Sequence, residues 1–79
     1  MTLNDMRSSH ICLIEHVTAP GRLGQRLCDL GLCPGVQVMF IRRAPFFDPV
    51  QVQVGSYHIA LRAAEAFHVH VRGLEKAKP

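Results

Sequence analysis

The chain has 79 residues, of which 48% are hydrophobic and 19% are charged, and its net charge is +3. This length predicts one domain with a thin core, since a chain of this size buries only about 60% of its unfolded surface, and the composition excludes a disordered tail. No apolar run approaches the roughly 18 residues that span a bilayer and the N-terminus carries no signal-peptide pattern, so we expect a soluble, cytoplasmic protein.

The N-terminal part of the chain predicts a short helical turn followed by a strand. Thr2 and Asp5 have the spacing of a capping box. In this motif the side chain of each residue accepts a hydrogen bond from a backbone N–H at the other end of the turn. Residues 11–17 are largely apolar and predict the first strand. We expect Cys12 and Ile14 to point into the core.

A helix is predicted after the segment Thr18-Ala19-Pro20, which supplies N-cap candidates and a proline for the first turn. Leu23, Leu27 and Leu30 are spaced at i, i+4 and i+7, so they form a narrow apolar stripe along one side. Gly24 weakens such a helix by about 1 kcal/mol relative to alanine. The helix therefore depends on packing its leucine stripe against the sheet.

A turn and a β-hairpin follow the helix. Gly31 occupies the position of a left-handed C-terminal cap, and Pro34-Gly35 forms a turn that the helix cannot continue through. Residues 50–54 alternate valine with glutamine, and residues 36–41 follow the same period of two, which predicts two strands with one apolar face each. The segment between them, residues 44–49, contains two prolines and predicts the connecting loop.

The C-terminal third predicts two more strands separated by a helical turn. Residues 57–61 alternate after a Gly-Ser turn, which places Tyr57 on the apolar face of the fourth strand. The alanine-rich residues 62–66 predict a single helical turn, and residues 67–71 predict a fifth strand with Phe67 on its apolar face. Five short strands with one helix between the first two favour a small β-fold, either a sandwich or a barrel.

Two sequence motifs, taken together, give the chain a resemblance to a known family. The turn Leu30-Gly31-Leu32-x-Pro34-Gly35 and the loop Ala44-Pro45-x-x-Asp48-Pro49 resemble those of the FeoA family, ferrous iron transport protein A, over about residues 2–71. The resemblance implies a mainly β, SH3-like small β-barrel of five strands with one inserted helix. This domain would comprise residues 1–73, followed by a solvated C-terminal tail of residues 74–79.

The resemblance also implies a cytoplasmic accessory protein of bacterial ferrous iron uptake and not an enzyme. It would dock on and regulate the FeoB-type permease, which carries a GTPase domain, and would meet the membrane only through that permease. We expect an apolar and basic contact surface made of Cys33, Pro34, Arg42, Arg43, Phe46 and Phe47. Phe46 and Phe47 replace the usual Leu-Gly of the family, so either both pack onto the barrel or one is an exposed anchor for a partner.

Histidine and cysteine are abundant, with five and three residues respectively. His68 and His70 are two apart on the fifth predicted strand, so they share a face and could both reach one zinc or ferrous ion. An SH3-like order places the fifth strand beside the first, which makes His10 or Glu15 the expected third ligand. In the alternative interpretation the two histidines are outward polar residues, or a metal joins two copies into a homodimer. No cofactor is otherwise required.

The remaining candidates for chemistry are weaker. Cys12, Cys28 and Cys33 match no paired zinc-knuckle spacing, so we interpret them as reduced, partly buried side chains. The sequence has no G-x-S-x-G, no H-E-x-x-H and no glycine-rich phosphate loop, which disfavours an enzyme. Two alternatives to the accessory role are a zinc- or ferrous-binding sensor or chaperone and a small nucleic-acid-binding barrel. We expect no nucleic-acid partner, because aromatic residues are not interleaved with the basic ones.

Overall fold

The computed structural model describes residues 1–45 and 48–76. The chain opens with a 3₁₀ helix, Leu3–Asp5, in which Thr2 and Asp5 form the predicted capping box. The described residues further form five β-strands and two α-helices: β1 His10–Val17, α1 Gly21–Asp29, β2 Gln37–Arg43, β3 Val50–Val54, β4 Tyr57–Leu61, α2 Ala63–Ala66 and β5 Val69–Lys76. The prediction of five strands with a helix inserted between the first two is confirmed.

The five strands belong to one antiparallel sheet with the order β4-β3-β2-β1-β5. β5 therefore lies beside β1, as expected from the sequence. The other neighbours in the sheet are also consecutive along the chain, and the connection from β1 to β2 contains α1. Every strand contributes side chains to one core cluster, so the sheet curls around that core.

The core consists of apolar side chains, and no polar or charged residue of the described chain is buried. Cys12 and Ile14 of β1 point inward as predicted, with exposures of 0% and 1%. The valines of β3 and the leucines Leu27 and Leu32 from the helix and its following turn complete the opposite side. Burial of each of these valine or leucine side chains stabilises the folded state by about 1.5–3 kcal/mol. A domain of 79 residues depends on these contributions, because its core is small.

α1 has the apolar side that its sequence predicts. Leu27 is fully buried, whereas Leu23 and Leu30 are partly buried at the edge of the core. Gly31 follows the C-terminal cap Leu30, and its φ of 93° is the left-handed conformation that glycine adopts without a steric penalty. Gly24 is required for a steric reason that helix propensity does not show. A Cβ at this position would lie 2.4 Å from the carbonyl oxygen of Ala19. Neither helix in the described ranges has the length and apolar character that a bilayer crossing demands.

Two aromatic side chains and the end of β5 differ from the prediction. Tyr57 is 73% exposed, because it begins β4 at the hairpin turn, at the edge of the core. Phe67 is 62% exposed, because it is the C-terminal cap of α2 and β5 begins two residues later. β5 then continues to Lys76, which pairs with His10, whereas the sequence pattern predicted that the strand ends at residue 71.

Candidate functional site

Four polar side chains meet on the outer surface between β1 and β5. We call them the histidine cluster: His16, Thr18, His68 and His70. The imidazole rings of His16 and His70 are stacked, with ring centroids 4.4 Å apart and an interplanar angle of 9°. The Thr18 Oγ1 atom lies 3.3 Å from His68 Nδ1 and also 3.3 Å from His70 Nε2. The backbone fixes this arrangement, since the Thr18 N–H donates to the carbonyl oxygen of His68 at 2.9 Å.

A bulge in the ladder between β1 and β5 explains why His16 stacks on His70. Ile14 pairs with Val71, and a regular antiparallel ladder would next place Glu15 opposite His70. The register shifts at this point, so Glu15 becomes the extra residue and His16 lies opposite His70. His16, which the sequence analysis did not name, is therefore the residue of the first strand that lies beside the histidine pair.

The expected third ligands are placed differently from the prediction. His10 pairs with Lys76 at the far end of the ladder, away from His70. No group of three His, Cys, Asp or Glu side chains in residues 1–45 and 48–76 is arranged to hold a metal ion. While they are stacked, His16 and His70 cannot both direct a ring nitrogen at one ion, because the lone pairs of imidazole lie in the ring plane and the two planes are nearly parallel. The rings of His68 and His70, in contrast, each direct one nitrogen at the same Thr18 oxygen.

A second chemical group lies where α1 ends. Cys28 is in the last turn of α1 and Cys33 follows the Gly31 cap, and we call the two residues the thiol pair. Their Sγ atoms are 3.1 Å apart. The hydrogen bond with Cys28 is the main cause that raises the pKa of Cys33, followed by partial burial and the charge of Asp29. The sequence analysis named both residues as reduced side chains but not their proximity, because a spacing of five residues across a helix end has no fixed geometry.

The third thiol has different surroundings. Cys12 is fully buried in β1, and its Sγ donates to the carbonyl oxygen of Val38 at 3.5 Å. Burial raises the pKa of Cys12 to about 11. Cys12 is therefore an unreactive core side chain. The sequence suggested partial burial for all three cysteines, and Cys12 is buried more completely than that.

Four of the six residues expected to form a docking surface lie near the two ends of β2. Cys33 and Pro34 precede β2 and Arg42 and Arg43 end it, so roughly 20 Å of extended chain separates the two groups. Arg43 donates to the carbonyl oxygen of Asn4 and its guanidinium lies 5.2 Å from the Phe40 ring centroid. Arg42 donates to the side chain of Gln51 at 3.0 Å. Phe46 and Phe47 lie outside the described residues.

A groove on the surface lies at the end of α1 and begins at Asp29, the residue after Cys28. It has a volume of about 340 Å³ and is lined by Asp29, Leu30, Tyr57, His58 and Ile59. We call it the helix-end groove, because the end of α1 forms one wall and β4 forms the other. The sequence analysis missed it, since the alternation of β4 predicts that Tyr57 points inward.

The chain is similar to a known protein family and to a larger transport protein. The model of the FeoA domain family matches residues 1–73. A fusion of Fe(2+) transport protein A with the Fe(2+) transporter FeoB from Porphyromonas gingivalis is 25% identical over 71 residues, and the match covers 90% of this chain and 8% of the fusion protein.

Two solved structures extend the comparison. Iron(II) transport protein A of Clostridium thermocellum superposes with a TM-score of 0.89 at 27% identity, over 94% of this chain and 46% of that chain. The zinc complex of FeoA from Stenotrophomonas maltophilia, a procaryotic SH3 domain protein, has a TM-score of 0.79 at 33% identity, over 91% of this chain and 89% of that chain. The predicted SH3-like fold is confirmed.

Proposed function

This chain belongs to the FeoA family, and from that premise we propose that it docks on an FeoB-type ferrous iron permease and regulates it from the cytoplasm. FeoA is an accessory domain linked to ferrous iron transport and is not a known enzyme family. The observation that carries the proposal is the Porphyromonas gingivalis protein, in which a domain similar to this chain is fused to the transporter FeoB. Domains that are fused in one protein are often separate, interacting chains in another.

Fusion and separation make different demands on the interface. A short flexible tether gives a fused domain an effective concentration in the millimolar range, so even a weak contact is occupied. A domain that binds without such a tether must supply the affinity through its own surface. In either arrangement we expect a contact surface with exposed apolar anchors and a polar rim.

The helix-end groove has these properties. Tyr57 exposes 73% of its surface and, together with Leu30, gives the groove an apolar part, while Asp29 and His58 give it a polar rim. Tyrosine is among the residues most often found at the energetic centre of interfaces. Cys33 and Pro34 lie four and five residues after Asp29 along the chain and are not among the residues that line the groove. The whole of the docking surface expected from the sequence therefore stays a prediction, and its residues are Cys33, Pro34, Arg42, Arg43, Phe46 and Phe47.

Regulation requires that the contact distinguish two states of the permease. A partner shifts an equilibrium only by the difference between its affinities for the two states. We expect this chain to bind the permease differently when its GTPase domain holds GDP and when it holds GTP. Equal affinity for both states would make the chain a passive subunit.

The experiment measures binding of the full chain to the permease and to its isolated GTPase domain, each with GDP and with a GTP analogue. We expect Tyr57→Ser to weaken binding by about tenfold or more, because truncating an interface anchor removes at least 1.4 kcal/mol. Phe67→Ser is the matched control, since Phe67 is also an exposed aromatic, 62% exposed, but lies outside the groove. Equal losses in both variants would exclude the groove, and absence of binding to either form of the permease would overturn the docking role.

A second candidate function is binding of a transition metal, and the histidine cluster favours it. His68 Nδ1 and His70 Nε2 converge on one point, which the Thr18 hydroxyl occupies. Neutral imidazole nitrogens are good ligands for zinc and for ferrous iron. The FeoA of Stenotrophomonas maltophilia, 33% identical, was solved as a zinc complex. We propose that His68 and His70 hold the ion and that His16 joins them when its ring leaves the stacked position.

Calorimetry with zinc and with ferrous ion tests this candidate. We expect saturable binding by the wild-type chain and its loss in the double variant His68→Ala/His70→Ala. His58→Ala is the control, because His58 is an exposed histidine on β4, outside the cluster. Unchanged binding in the double variant would clear both residues, and a stoichiometry of one ion per two chains would indicate a metal-bridged dimer.

A further inference from the structure

We propose that the thiol pair, Cys28 and Cys33, is a redox modification site at which a peroxide converts the two thiols into an intramolecular disulfide. The proposal does not depend on the permease or on metal binding. It rests on three observations, which are the position of the two sulfur atoms, their accessibility and the contrast with the third thiol.

The fold brings the two sulfur atoms into contact and holds them there. The Sγ atoms are 3.1 Å apart, and the Cys33 Sγ is also 3.6 Å from the carbonyl oxygen of Cys28. The intervening turn is fixed by backbone bonds, with the Gly31 N–H donating to Cys28 and the Leu32 N–H donating to Leu27, at 2.9 and 3.0 Å. Leu32 is fully buried and anchors this turn in the core. The two thiols are therefore already in contact in the folded chain, and their reaction requires no conformational change.

Solvent reaches both members of the pair. Cys28 is exposed and Cys33 is intermediate, whereas Cys12 is buried. Burial raises the pKa of Cys12 to about 11. Because the thiolate is the form that attacks a peroxide, a buried thiol with a raised pKa reacts slowly. One chain thus contains an accessible pair and an inert reference thiol.

A metal site is the other use of two adjacent cysteines, and the described surroundings do not favour it. Structural zinc takes four protein ligands and catalytic zinc takes three. No third His, Cys, Asp or Glu in residues 1–45 and 48–76 completes a group with the pair. A disulfide, in contrast to a zinc site, needs only the two sulfur atoms.

The reaction balances with one peroxide molecule. The thiolate of Cys28, the more exposed sulfur, attacks one oxygen, the O–O bond breaks, and the released hydroxide takes a proton to become water. The Cys28 sulfenic acid is then attacked by the Cys33 sulfur, so the S–S bond forms, the S–O bond breaks, and a second water leaves with the proton of Cys33. The two thiols lose two electrons in total, and the peroxide gains them.

The sequence makes the product simple to detect. Trypsin cuts after Arg26 and Arg42 and nowhere between, so both cysteines fall in one peptide of residues 27–42. Cys12 falls in a different peptide, residues 8–22. Folded protein is treated with hydrogen peroxide, unfolded, alkylated and digested, and the two peptides are weighed with and without prior reduction.

We expect peptide 27–42 to become lighter by two hydrogen atoms and to carry no alkyl group, while peptide 8–22 keeps its alkyl group. A thiol reductant should restore two alkyl groups to peptide 27–42. We expect the pair to oxidise about tenfold or more faster than Cys12. In Cys33→Ser the intrapeptide bond should be absent and Cys28 should accumulate as an oxygen adduct, whereas Cys12→Ala should oxidise as the wild type does.

Three results would overturn the proposal. One is peptide 27–42 with two alkyl groups after peroxide treatment that oxidises a free thiol standard. Another is a disulfide between two chains, visible as a dimer on a non-reducing gel. The last is oxidation of Cys12 at the same rate as the pair, which would show that the reaction proceeds in unfolded protein.

Discussion

The helix side of the domain and the histidine cluster differ in what determines their residues. On the helix side, which we define as α1 and the turn to β2, Leu27 and Leu32 are fully buried in the core. In the histidine cluster, His16 and Thr18 are exposed and are held by ring stacking and by hydrogen bonds. Packing therefore decides the residues of the first region, and surface chemistry decides those of the second. Substitutions should change stability in the first region and binding in the second.

The largest effect is expected for Leu27→Asp. This side chain is the part of the leucine stripe that is fully buried, so the variant must bury a carboxylate with no partner or leave the core open. Loss of the leucine alone costs about 2–5 kcal/mol, and the buried charge adds to it. We expect an unfolded chain by circular dichroism and by heteronuclear NMR.

The control for Leu27→Asp is Arg22→Asp, which introduces a carboxylate at an exposed position in the first turn of the same helix. Its cost should stay near 0.5 kcal/mol. A folded Leu27→Asp chain with a cooperative melt would show that the helix side does not depend on packing, and the comparison between the two regions would fail.

The helix side was largely predictable from sequence, because its rules are local. The spacing of Leu23, Leu27 and Leu30 gives the buried side by periodicity alone, and Gly31 gives the end of the helix by its lack of a Cβ. Gly24 is the exception on this side. Its requirement comes from the Ala19 carbonyl five residues earlier, a contact that depends on how the chain enters the helix.

The histidine cluster was only partly predictable. The neighbouring position of β1 and β5 followed from the expected strand order, and the shared location of His68 and His70 followed from their spacing. His16 was missed because a bulge at Glu15 shifts the register by one residue, and nothing in the sequence marks that bulge. The proximity of the thiol pair was missed for a similar reason, since it depends on the path of a turn.

Gly24→Ala should destabilise the domain by about 1–3 kcal/mol, although helix propensity alone favours alanine by about 1 kcal/mol. The new Cβ would lie 2.4 Å from the Ala19 carbonyl oxygen, and both atoms belong to backbone or are attached to it. The start of α1 must therefore move. Thermal or urea unfolding measures the loss.

Arg22→Ala is the matched control for Gly24→Ala, because it introduces alanine at an exposed position of α1. It should stay within about 0.5 kcal/mol of the wild type. A stabilised Gly24→Ala chain would mean that propensity outweighs the contact with Ala19, and that local rules suffice for the helix side.

The contrast between a buried and an exposed side chain also occurs within one strand, since β1 contains both the buried Cys12 and the exposed His16. Burial raises the pKa of Cys12 from 9.0 to about 11, so the folded state holds the thiol proton more tightly than the unfolded state. The resulting stability is fully present below pH 9 and is lost as the pH rises towards 11. We expect a loss of about 2 kcal/mol across this range.

The measurement is the free energy of unfolding against pH for the wild type and for Cys12→Ala. All the other ionisable groups are present in both proteins, so their contributions cancel in the difference. The variant lacks the thiol, and its stability should therefore fall less steeply. Parallel curves would show that Cys12 is accessible in the folded state, which would also remove its use as the inert reference for the thiol pair.

The smallest effect on stability is expected for His16→Ala, and this variant separates the two regions most sharply. His16 is exposed and its stacking on His70 is a surface contact, so the free energy of unfolding should change by no more than about 0.5 kcal/mol. If His16 joins His68 and His70 around an ion, its loss should weaken zinc binding by about tenfold or more. His58→Ala should change neither quantity. Unchanged zinc affinity would exclude His16 as a ligand, and a large loss of stability would show that the histidine cluster is part of the structural framework.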